Sequence, residues 1–72
     1  MDALITRSDL LILKDLSCST ELVSVENIPH SFKDDFDNYF FGKTLVKKNG
    51  HLFAYPGDIK RWVSLVFDTY KN

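Results

Sequence analysis

Residues 45–55 read Leu45-Val46-Lys47-Lys48-Asn49-Gly50-His51-Leu52-Phe53-Ala54-Tyr55, and this stretch decides what kind of domain the chain builds. Asn49 and Gly50 stand between two apolar-bearing runs, and both tolerate the positive φ of a type I′ turn. The twist of that turn matches a two-stranded antiparallel hairpin. A two-residue loop sets Lys48 against His51, Lys47 against Leu52, Val46 against Phe53 and Leu45 against Ala54. One face then carries Thr44, Val46, Phe53 and Tyr55, and the other carries Leu45, Lys47, Leu52 and Ala54. The bulkier first face is expected to turn toward the core.

Downstream of the hairpin, Pro56-Gly57 is expected to turn the chain and Asp58 to cap a helix. Ile59, Trp62, Val63, Val66, Phe67 and Tyr70 recur at helical spacing, and Lys60, Arg61, Ser64, Asp68 and Lys71 form the wet face. Upstream, Ser31 is read as an N-cap, with Asp34 and Asp35 in the first turn where carboxylates suit the positive helix end. Phe32, Phe36, Tyr39 and Phe40 share one face of that helix, and Gly42 stops it.

Further back, Glu21 to Glu26 alternates in part around Val23 and Val25 and reads as a short strand, broken at Asn27-Ile28-Pro29. Ser17-Cys18-Ser19-Thr20 reads as a loop. Before it, Leu10, Leu13 and Leu16 form a stripe behind Thr6 or Ser8 as cap. The Leu10–Leu13 run also suits a buried strand, but leucine, lysine and aspartate favour helix.

These segments predict one small α+β domain spanning residues 1–72: helix, short strand, helix, β-hairpin, helix, with the helices packed on one face of the hairpin. The expected core is Leu10, Leu13, Val23, Phe32, Phe36, Phe40, Val46, Phe53, Ile59, Trp62, Val63, Val66 and Phe67.

A chain of 72 residues excludes a multi-domain enzyme or a large cofactor cradle. Aromatic residues make up 14%, which gives so short a chain extra apolar area to bury. Cys18 is the single cysteine, so no internal disulfide forms and a reducing, cytoplasmic setting is expected. The longest apolar run, Leu10–Leu13, is far too short for a membrane span, and the first residues lack the pattern of a signal peptide.

Net charge is −1, but it is polarised along the chain. Residues 1–38 hold three basic and eight acidic side chains, a balance of −5; residues 39–72 hold six and two, a balance of +4. Such asymmetry favours oriented docking on a charged partner.

Little in the sequence points to catalysis. Cys18 with His30 or His51 lacks an orienting third group. One cysteine and two histidines spaced so widely fit no zinc pattern. Asp34, Asp35 and Asp37 lack the glycine and terminal glutamate of a calcium loop, and no glycine-rich phosphate loop occurs. No catalytic residue, metal or cofactor is therefore expected.

The interaction features are more telling. Tyr39-Phe40-Phe41 cannot all face one core from a single helix, which leaves Tyr39 or Phe41 at the margin as an interface anchor. Lys43, Lys47 and Lys48 lie on or beside the hairpin, His51 sits at its tip, and Lys60 and Arg61 follow it. The run Tyr55-Pro56-Gly57-Asp58-Ile59-Lys60-Arg61-Trp62-Val63 resembles the end of excisionase-like winged-helix domains, where a wing leads through a proline and an acidic cap into a Trp-bearing helix. That resemblance implies nucleic-acid binding through the basic hairpin. The chain departs from it in the helix before the hairpin, where Asp34, Asp35 and Asp37 would repel phosphate. Residues 49–55, with Lys60-Arg61-Trp62-Val63, are also similar to the tail of a small phage anti-CRISPR inhibitor.

The expectation is therefore a small non-enzymatic protein-binding module: a regulator, an immunity protein or a phage-type anti-defence inhibitor. Its partner surface draws on Asp34, Asp35, Asp37, Tyr39, Phe41, Lys47, Lys48, His51, Lys60 and Arg61. A protein partner or a second copy of the chain is expected, and a nucleic-acid-binding regulator is the alternative.

Overall fold

The computed structural model describes residues 6–70. The Tyr70 side chain, read as the last member of the apolar stripe, and Lys71 on the wet face lie outside the described part. Among the described residues the chain forms three helices and a three-stranded antiparallel sheet, with the helices packed against the sheet. The expected α+β class and element order both hold.

The first helix, α1, spans Arg7–Ser17. Thr6 is its cap: the hydroxyl accepts from the Asp9 N–H at 3.2 Å, satisfying one of the orphan donors of the first turn. A short strand, β1 (Val23–Ser24), follows and gives way at once to a 3₁₀ turn over Val25–Asn27. The strand expected over Glu21 to Glu26 is thus shorter than its alternation implies. The Ser24 hydroxyl accepts from the Glu26 N–H, and this local bond competes with extension of the ladder.

The second helix, α2 (Lys33–Phe40), is entered through a 3₁₀ turn, His30–Phe32. Here the capping expectation is corrected. Ser31 lies inside the 3₁₀ turn and Phe32 occupies the cap position without a side-chain bond. Pro29 explains the displacement, since its fixed φ starts a tight turn and its carbonyl accepts from the Phe32 N–H at 2.9 Å. The freed Ser31 hydroxyl donates instead to Asp9 Oδ2 at 2.7 Å, tying the entry of α2 to the first turn of α1.

The hairpin forms as its turn dictates. Strands β2 (Val46–Lys48) and β3 (His51–Ala54) pair Val46 with Phe53, Lys47 with Leu52 and Lys48 with His51. Asn49 at φ 52° and Gly50 at φ 80° supply the left-handed turn. A Cβ built on Gly50 meets nothing within 4 Å, so any penalty there is purely conformational. Gly50→Val should lower stability by about 1–2 kcal/mol, whereas D-alanine at the same site should be neutral or stabilising. Denaturant melts of the two synthetic chains would check this, and equal losses for both would show that crowding, not φ, is the cause.

The sheet order is β1-β3-β2, with Val23 opposite Ala54 and Ser24 opposite Phe53. This register corrects the expected facing of the hairpin. Val23 and Ala54 point inward together, at 3% and 0% exposure, and Leu45 packs against the same core. Ser24, Val46 and Phe53 share the opposite face, so Val46 and Phe53 are half-buried outside the core cluster. The physical reason is space. The helices already fill the interior with large rings, and the sheet wall supplies small residues to match them.

The last helix, α3, spans Pro56–Tyr70. It starts earlier than expected: Pro56 is its first residue, and the Tyr55 carbonyl accepts from the Ile59 N–H at 3.0 Å. Asp58 therefore stands in the first turn as a dipole complement and is not the cap. Trp62, at 2% exposure, anchors the core. Its indole meets Phe32, Phe36 and Phe40 edge-on at centroid distances of 6.4, 5.3 and 6.2 Å, while Phe36 and Phe40 stack at 4.3 Å. Ile28, absent from the expected core, is also buried, while Leu10 and Phe67 pack against the core only in part.

Candidate interaction surfaces

The aromatic run at the end of α2 is resolved by a change of backbone geometry. Tyr39 and Phe40 are helical, but Phe41 leaves the helix at φ −61°, ψ 122°, and Gly42 follows at φ 83°. The Phe40 carbonyl accepts from the Lys43 N–H at 3.0 Å. These angles and this bond describe a type II β-turn with Phe41 and Gly42 as its central residues, the second requiring positive φ. Phe40 then points into the core at 5% exposure, while Phe41 projects outward at 89%.

Among the described residues Phe41 is the most exposed of the large apolar side chains. Tyr39 is half-buried, edge-on to Phe40 at 5.2 Å, and the Lys43 ammonium lies 4.9 Å above its ring. That cation–π contact, with the turn, gives Phe41 an ordered base. The sequence flagged Tyr39 and Phe41 and grouped Lys43 with the basic hairpin; the contact of Lys43 with Tyr39 becomes visible only once the turn folds it back.

Asp34, Asp35 and Asp37 are exposed along the free side of α2, whose other side buries Phe36 and Phe40. Among the described residues no group of three histidine, cysteine, aspartate or glutamate side chains is placed to hold a metal ion. Cys18 is a free, exposed thiol.

The basic residues do not act as one block. Lys48 and His51 share one face of the hairpin, and Lys47 lies with Leu52 on the other. His51 Nδ1 is 2.8 Å from Glu26 Oε2, so an acidic partner already engages it. The exposed Arg61 lies 4.0 Å from the half-buried Asp58 one turn earlier on α3, a long contact of little energetic weight. Lys60 instead borders a groove between α1 and α3, floored by Leu10, Val63 and Phe67. The sequence placed Lys60 on a wet helix face but did not show that a second helix would wall it in.

No helix among the described residues is long and apolar enough to cross a membrane. Comparison of the chain with protein-family models, with curated proteins and with solved structures finds no match.

Proposed function

We propose that the chain is a small non-enzymatic protein-binding module, a regulator, immunity protein or anti-defence inhibitor, that acts in the cytoplasm by docking on a protein partner. The observation that carries this reading is Phe41, held 89% exposed on a type II turn. The turn fixes the backbone beneath the ring, so docking has only the side-chain torsions left to order, and such aromatics dominate the energetics of protein interfaces. The chemistry it fits is an apolar pocket on a folded protein. The acidic side of α2, leading up to the turn through Asp37, favours a basic rim around that pocket.

Affinity capture from the producing cells after nuclease treatment tests the proposal. One defined protein should be retained by the parent chain and by Leu65→Ser, a control that removes another exposed apolar side chain. Phe41→Ser should lose it while melting within about 0.5 kcal/mol of the parent, because the ring contributes almost nothing to the core. Undiminished capture by Phe41→Ser would overturn the assignment. The nucleic-acid alternative predicts tight, salt-sensitive shifts on random DNA or RNA, abolished by Lys47→Glu with Lys48→Glu. That result would displace the protein-partner reading.

A further inference from the structure

The groove between α1 and α3 lies apart from Phe41 and has its own chemistry. It is an open groove of about 570 Å³, lined by Leu10, Lys14 and Ser17 of α1 and by Lys60, Val63, Ser64, Phe67 and Asp68 of α3. Leu10, Val63 and Phe67 make an apolar floor, and only Val63 of the three is fully committed to the core. On each helix the lining residues recur at i, i+3 or i+4 and i+7, so the floor runs for about two turns, roughly 10–12 Å. Lys14 and Lys60 are exposed on its rim, and neither has an ion-pair partner among the described residues. Leu11, 55% exposed, extends the apolar surface beyond the α1 lip.

We infer that this groove receives an acidic amphipathic helix of a partner protein. Two helices with an apolar seam between them are the ordinary receptor for a third, whose leucine or aromatic anchors fill the floor. Two lysines, one from each wall, select carboxylates flanking those anchors. The acidic helix of a second copy does not meet the requirement. That helix, α2, has already turned Phe36 and Phe40 into its own core and has no apolar stripe left to offer. The inference rests on the protein-binding reading and adds a second contact surface with a stated partner chemistry.

The test uses the 72-residue chain and a designed fourteen-residue helical peptide with leucines at helical spacing flanked by glutamates. A twin peptide carries lysines in place of the glutamates. Backbone amide shifts of Leu10, Lys14, Ser64 and Phe67 should move with the glutamate peptide, which should bind roughly tenfold tighter than its lysine twin. Lys14→Glu with Lys60→Glu should invert that preference. Ser64→Tyr, which narrows the groove from an exposed position, should abolish binding. Equal binding of the two peptides, or no binding, overturns the inference. So does displacement of the peptide by decanoate at equal concentration, which would mark a small-amphiphile site, or concentration-dependent shifts of the same amides without peptide, which would mark self-association. Each of these leaves the Phe41 result standing, so the two readings fail separately.

Discussion

Trp62→Ala should leave the domain largely unfolded. Trp62 is the single tryptophan and is 2% exposed, and its edges are shared among Phe32, Phe36 and Phe40. Truncating a buried tryptophan costs about 3–5 kcal/mol through lost transfer energy and the cavity left behind. Each edge-to-face pair adds on the order of 0.5–1.5 kcal/mol beyond area burial. A single core of this size rarely supplies more than about 3–5 kcal/mol in all. The substitution therefore removes as much as the fold has. Far-UV circular dichroism with thermal melting is the measurement, and a cooperative melt within a few degrees of the parent would contradict the packing described.

Leu13→Ala should cost about 2–5 kcal/mol, with the loss falling first on α1. Leu13 is the fully buried residue of that helix, at 0% exposure; Leu10 and Leu16 only border the core. A hydrogen bond from the Ser31 hydroxyl to Asp9 also ties α1 to the body. Removing the leucine leaves α1 held by partial contacts, and a helix of eleven residues is marginal in water without packing. Hydrogen exchange should show the amides of Leu13–Ser17 losing protection before those of Trp62–Val66. Simultaneous loss in both helices would mean that α1 and the core unfold as one unit.

Features set by neighbouring residues were legible from the sequence. Asn49-Gly50 dictates both turn type and register because positive φ is demanded at two successive positions, and few residue pairs meet that demand. The long period of α3 gave its buried face, and the head of α1 was narrowed to Thr6 or Ser8, of which Thr6 is the cap. What the sequence did not carry was the side of the hairpin that faces inward. Side-chain bulk pointed to Val46 and Phe53, whereas the core beside the rings of Phe32, Phe36, Phe40 and Trp62 takes Val23, Ala54 and, in part, Leu45. That outcome depends on which volume the helices have already filled, a quantity no local pattern contains.

The candidate surfaces divide in the same way. Phe41 was flagged because three successive aromatics cannot share one face, and the Phe40–Lys43 turn turns that argument into geometry. Ser31 misled because its residue type suits a cap, while Pro29 set the backbone so that Ser31 could not serve as one. The α1–α3 groove was invisible because its two walls lie far apart in the chain. Lys14 and Lys60 become neighbours of one apolar floor only through the tertiary packing of the two helices.

The edges of the sheet carry a consequence for how this protein behaves in a crowd. One edge, β1, is two residues long and bends away at once into a 3₁₀ turn. The other, β2, displays Lys47 and Lys48, both exposed, on three residues. Short length and lysines are the two common means by which an open strand is kept from templating another, since an incoming chain finds little backbone to pair with and meets charge where it does. The sheet therefore resists runaway stacking and amyloid-like growth even though Phe41 stands bare. Recognition is left to side chains, where shape and charge can discriminate, and is withheld from the backbone, where any passing strand would do.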